Sequence, residues 1–132
     1  MSIRVVRDTS RSMKHDIHVR EHVFSADIDV AGGGEDAGPS PHDLYDSALG
    51  ACKALTLLWF AKRKNIPVEN IEVEIVRDDS EEAKGTYRLK ALVSVTGDIS
   101  EEQRAELLRA ASKCPVHKLM TQVTTEIETA WA

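Results

Sequence analysis

The 132-residue sequence predicts an α+β protein, with mainly antiparallel strands around one long, buried central helix. Three observations carry that expectation. Apolar residues alternate in several short stretches, as in half-buried strands. Between Leu44 and Ala61 the apolar spacing switches to three and four. Two Ser-x-x-Asp/Gln patterns, at Ser40 and Ser100, mark helix starts.

From Ile3 to Val30 the alternation at Ile3 and Val5, at Ile17 and Val19, then at Val23 and Ile28, with turn residues from Asp8 to Ser12, reads as a strand, a turn and one or two more strands. Ala31 to Ser40 holds Gly32, Gly33, Gly34, Gly38 and Pro39 and is a loop. It has no G-x-G-x-x-G spacing and no trailing Lys-Ser or Lys-Thr, which argues against a phosphate cradle. Ser40 as N-cap, Pro41 at the first helical position and Asp43 reaching back start a helix that runs to about Lys64. Leu44, Ala48, Cys52, Leu55 and Trp59 line one face, while Tyr45, Leu49, Leu57, Leu58 and Phe60 fill much of the rest. A helix apolar nearly all round needs cover on every side, and a chain this small has few elements to supply it, so a homodimer is expected.

Asn65-Ile66-Pro67 ends that helix, because a residue before proline is pushed out of the helical region. Val68 to Arg77 and Thr86 to Thr96 alternate as two strands joined by a charged, solvated link from Asp78 to Lys84. Ser100 caps a helix to about Lys113, and Pro115 starts one further turn or two over Val116 to Met120. Val123, Thr125, Ile127, Thr129 and Trp131 alternate and predict a closing strand. The whole chain, residues 1–132, is expected to form one domain.

Composition narrows the function. With 17 Lys and Arg against 22 Asp and Glu, the net charge of −5 argues against nucleic acid and an anionic membrane as partners. Met1 to Arg11 lacks the apolar core of a secretory signal, and Lys53 and Lys62 interrupt the longest apolar run, so a reducing cytoplasm is expected.

Two cysteines are too few for a disulfide framework, which leaves burial or redox chemistry. Cys52 lies in the apolar repeat, where desolvation alone would leave an inert thiol, so a cation is required. Adjacent helical residues do not share a face, so Lys53 is expected to point elsewhere and the cation to come from a distant strand or loop. Cys114 precedes Pro115 and would be the N-cap of the next helix, close to unsatisfied amides, which nominates it as the more acidic thiol. His117, three residues on, could pair with that thiolate or act as a base. Cys114-x-x-His117 is also half a zinc site, but no second ligand pair exists and no metal or other cofactor is expected. His15, His18 and His22 are expected to face solvent. Ser47, His42 and Asp43 form the nearest hydrolase-like cluster, without a G-x-S-x-G elbow.

Gly38-Pro39-Ser40-Pro41, Leu44, Ala48-Leu49-Gly50-Ala51-Cys52 and Cys114-Pro115-Val116-His117 together resemble the OsmC/Ohr family of small thiol peroxidases, over nearly the whole chain. The resemblance implies an OsmC-like fold as an intertwined homodimer, its two long helices packed back to back. It further implies reduction of an organic hydroperoxide by a peroxidatic Cys52, with Cys114 resolving and a dihydrolipoamide-type dithiol restoring the pair. The family arginine maps by element order to Arg11, with Arg20 or Arg7 as replacements. Better-characterised members carry an acid ten positions before the peroxidatic cysteine to orient that arginine, and here His42 stands there with Asp43 adjacent. Histidine is not a permanent anion. The other readings of the same residues are a redox sensor, and a non-enzymatic protein that binds a small apolar ligand near Tyr45 and Trp59.

Overall fold

The computed structural model describes residues 1–132. The chain is α+β, with two antiparallel sheets and three α-helices, and it divides into two compact units, residues 1–46 and 47–132.

The first unit is a three-stranded meander of β1 (Ile3–Arg7), β2 (His15–Val19) and β3 (His22–Ala26), followed by the Gly-rich loop and the first turns of α1. Val5 and Phe24 flank Ile17 across the sheet, and Ile17 is the one buried hydrophobic residue of the three strands. The turn between β1 and β2 is built on Asp8, which accepts from the Ser10 amide and hydroxyl and from Lys14. Those bonds, the Ser10 hydroxyl first, pull the Asp8 carboxyl down to about 2. The Gly-rich loop is tied in the same way. The carboxylate of Asp27 accepts from the amides of Ile28, Glu35 and Ala37, which lowers its pKa, the Ala37 bond contributing most.

Helix α1 (Pro41–Arg63) begins as the sequence reading expects. Ser40 Oγ accepts from the Asp43 amide while Asp43 Oδ2 accepts from the Ser40 amide, closing the capping box. Its end owes more to Asn65 than to the proline. Asn65 takes a left-handed conformation, the Ile66 amide returns to the Ala61 carbonyl and the Asn65 amide to Lys62, the paired bonds of a Schellman motif.

The second unit holds the rest of α1, the hairpin of β4 (Val68–Asp78) and β5 (Arg88–Gly97), α2 (Glu101–Ser112) and α3 (Pro115–Gln122). Leu57 and Ala61 of α1, Ile66, and Leu107 and Ala111 of α2 make its core, with Val68, Ile71, Val93 and Val95 of the hairpin packed against them. The charged link between the strands is capped by a single 3₁₀ turn, Glu82–Lys84, and Arg88 closes it by an ion pair to Glu81. Ser100 and Gln103 complete the second capping box. Gly97 ends β5 at φ +140°, where an added Cβ would overlap the Pro67 carbonyl oxygen.

The closing strand is not formed. Residues 123–132 carry the expected alternation and are extended at Val123, but they pair with no strand and are exposed throughout, Trp131 completely. Alternation marks a segment fit for a sheet; it does not supply the neighbouring edge. Helix α1 is likewise not covered all round within one chain, since Tyr45, Leu55 and Trp59 are half or more exposed along one side.

Two outcomes are expected from these features. Gly97→Ala destabilises the protein by roughly 2–4 kcal/mol, from left-handed strain and backbone overlap together, read as a lower urea midpoint with an unchanged slope. Asp8 and Asp27 have folded pKa values below their unfolded ones, so their contribution is full above the unfolded carboxylate range and is lost as pH falls through the folded values. Melting temperature recorded from pH 6 to 2 should fall below pH 4. Asp27→Ala should lower it by several degrees at pH 6 and flatten that acid limb.

Candidate functional site

Helix α3 is short, and its placement is set by a Cys-Pro pair. Pro115 fixes the first helical position, and Cys114 takes the extended backbone of an N-cap at φ −65° and ψ 149°. The first amides of a helix have no partner inside it and seek one outside. In α3 the Val116 amide donates to the sulfur of Cys52, 3.4 Å away on α1. Thr56, one turn further along α1, lies 4.0 Å from the same sulfur through its hydroxyl. Cys114 precedes that turn and its thiol feels the Cys52 sulfur across the junction, so the two cysteines are neighbours, both free.

The expectation that Cys114 is the more acidic thiol is overturned. Cys114 is fully buried, and that desolvation raises its pKa. The His117 amide faces it too poorly for a capping bond and opposes the shift only in part, as does the charge of Lys53, while the Cys52 sulfur adds to it. The end of α3 is therefore directed at Cys52, which is half-buried, and not at the residue that caps it.

Lys53 reaches the same junction by another route. Its ammonium is buried within this site, donating to the Ala111 carbonyl at 3.0 Å and to His117 Nδ1 at 2.9 Å. Position 53 does turn away from position 52 on the helix surface, but α3 lies across both. Cys52 meets Val116 and Lys53 meets His117, so consecutive residues of one helix meet consecutive residues of the other. Sequence offered one signal for this, a charged residue amid an apolar run, and local helix geometry alone could not follow where four methylenes lead it.

Cys114 and His117 also line a cavity of about 310 Å³ with Ser112, Lys113, Lys118 and Gln122. A second cavity, about 440 Å³, lies beside Trp59 and Phe60, bordered by Thr56, Lys64, Glu106 and Arg109. Trp59 there carries the Arg63 guanidinium 4.9 Å above its ring. No group of three or more His, Cys, Asp or Glu side chains is placed to hold a metal ion.

The remaining sequence candidates belong to the first unit. Arg11 is held by Glu35, Nε to Oε1 at 3.1 Å, a bond that raises its pKa. Asp43 is engaged in the capping box, His42 occupies the first turn of α1, and Tyr45 is half-exposed. His15 bonds the Met13 carbonyl, and His18 and His22 lie on β2 and β3.

Comparison with known proteins agrees with this architecture. The model of the family described as OsmC-like protein matches residues 32–129. The fold is similar to that of the organic hydroperoxide resistance protein OhrB of Bacillus subtilis, at 26% identity and a TM-score of 0.60 over 92% of each chain. It is also similar to an OsmC-like protein from Mycoplasma pneumoniae, at 19% identity and a TM-score of 0.73 over 92% of this chain and 87% of that one. An organic hydroperoxide resistance protein OsmC from Legionella pneumophila shares 16% identity and a TM-score of 0.63, over 92% and 88%. Among curated proteins no relative matches. No helix is long and apolar enough to cross a membrane. Matched over most of its length by the family model, and carrying its two cysteines face to face between α1 and α3, the chain belongs to the OsmC-like protein family.

Proposed function

We propose that this protein reduces organic hydroperoxides with Cys52 and Cys114. The observation that carries the reading is the Cys52 sulfur itself: half-buried, given a helix amide by Val116, and in contact with a second free thiol. An amide donor at a helix N-terminus favours negative sulfur. In the first step the Cys52 thiolate attacks the terminal, hydroxyl-bearing oxygen of the peroxide, the O–O bond breaks, and the sulfur becomes a sulfenic acid while the alkoxide takes a proton and leaves as alcohol. The Cys114 sulfur then attacks that of Cys52, the S–O bond breaks, and hydroxide leaves as water with the Cys114 proton. A dithiol of the dihydrolipoamide type reduces the disulfide by exchange and is itself oxidised to a disulfide. No resident cofactor enters the cycle. The apolar residues around Cys52 on α1 favour an alkyl peroxide over hydrogen peroxide. Arg11 is the arginine assigned to the peroxide. In this chain the anion paired with Arg11 is Glu35.

The working form we propose is a homodimer of one-domain chains in a reducing cytoplasm. Two features favour it: the exposed apolar side of α1 at Tyr45, Leu55 and Trp59, and the unpaired, alternating segment from Val123 to Trp131.

Reduced protein mixed with cumene hydroperoxide in a single turnover should lose both thiols to an intramolecular disulfide. Cys52→Ser should abolish the loss, and Cys114→Ser should stop at a sulfenic acid that dimedone traps. Thiols that survive the peroxide, or a loss indifferent to Cys52→Ser, would falsify the reading. Oxidation without repeated turnover on an added dithiol would mark a sensor instead. In sedimentation equilibrium the native chain should run as a dimer. Leu55→Glu should weaken association by about two orders of magnitude, the equivalent of one large apolar side chain taken out of a buried interface.

A further inference from the structure

A buried ammonium is costly unless something negative or strongly polar faces it. Lys53 is buried, and the two groups that it bonds, the Ala111 carbonyl and the His117 ring, are both uncharged acceptors. An ammonium can only donate, so Nδ1 of His117 is the acceptor of that bond. This cation bonds Ala111 and His117, three residues before and three residues after Cys114. Cys52 precedes Lys53 on α1, and the lysine charge acts on Cys114 across the same junction. The other titratable groups around Cys114 are His117 and Lys118 of α3 and Lys113 after α2, and no carboxylate lines that cavity.

We propose that Lys53 is a positioning residue of the thiol pair: its ammonium is the standing counter-charge of the Cys114 thiolate, and by holding His117 it keeps α3 in register with Cys52. The assignment deepens the peroxidase reading and rests on it for its place in the cycle, which is the resolving step. There the Cys114 sulfur must lose its proton before or as it attacks the Cys52 sulfenic acid. Burial of Cys114 opposes that loss, and Lys53 supplies the compensating charge. The same ammonium would favour Cys114 as the thiolate released when the dithiol donor opens the disulfide, because a better-stabilised thiolate leaves faster. Lys53 touches neither peroxide nor donor in this scheme. It acts through Cys114 and His117.

The test isolates Cys114 in Cys52→Ser protein and follows thiolate absorbance at 240 nm against pH, with Cys52→Ser/Cys114→Ser as the blank. Adding Lys53→Met, or Lys53→Gln, which keeps an N–H for the Ala111 carbonyl, should move the Cys114 transition to higher pH, while Lys53→Arg should leave it near its original place. In otherwise native protein, Lys53→Gln should slow disulfide formation after peroxide addition about tenfold at neutral pH, as for loss of one charge-assisted contact, without slowing sulfenic acid formation to the same degree. A Cys114 transition that stays put in folded Lys53→Met and Lys53→Gln overturns the proposal. So does one displaced as far by Lys53→Arg. If the neutral variants do not fold, the ¹⁵Nζ resonance of Lys53 in Cys52→Ser protein decides the matter. It should shift with the Cys114 transition and lose that shift in the double serine protein, and a resonance indifferent to Cys114 overturns the assignment. Because the titration uses no peroxide, thiols inert to peroxide but still displaced by Lys53→Gln would overturn the peroxidase reading and leave the role of Lys53 standing.

Discussion

The site depends on where the first turn of α3 comes to rest. A helix start presents amides that must find acceptors, and the nearest acceptor for Val116 is the sulfur of Cys52. That bond brings the cap residue Cys114 against Cys52 and the His117 ring against Lys53, so one backbone donor organises two thiols, an imidazole and a cation. Remove the helix start and the four side chains have no common reason to meet.

The surrounding packing serves that junction. Leu57 and Ala61 of α1 and Leu107 and Ala111 of α2 are interior, and Ala111 closes the arrangement from both sides, its methyl in the core and its carbonyl on the Lys53 ammonium. The end of α2 therefore serves two purposes. Its last carbonyls are orphans by construction, and a lysine from another helix takes one of them. Cys114 follows three residues later and is fully buried, which is why a residue placed to cap a helix carries a thiol harder to ionise than its position suggests.

Much of the fold was legible in the sequence because its signals are local. Both capping boxes, the span of α1, the two long strands and the proline start of α3 rest on residues within one turn or one pleat of each other. The candidate site was legible in part of its membership and not in its electrostatics. Cys52, Cys114 and His117 were named, but the acidity of Cys114 and the direction of Lys53 turn on burial and on a helix sixty residues away in sequence. The last segment shows the same divide. Alternation from Val123 to Trp131 is a property of the chain, whereas strand pairing is a property of an edge that residues 123–132 do not meet here.

The register between α1 and α3 has a consequence for how the chemistry is written into the chain. Cys52 and Lys53 are one word, and Cys114 through His117 are another; each is contiguous, and each sits on a single rigid rod. The relative spacing of four functional groups is thus fixed by covalent geometry twice over and adjusted only once, where the rods touch. Insertions in the hairpin link or in the Gly-rich loop would change the protein's outline while leaving those spacings untouched. A single residue inserted between Cys52 and Lys53 would rotate the ammonium by about 100°, a full helical step, and dismantle the site with every one of its residues still present.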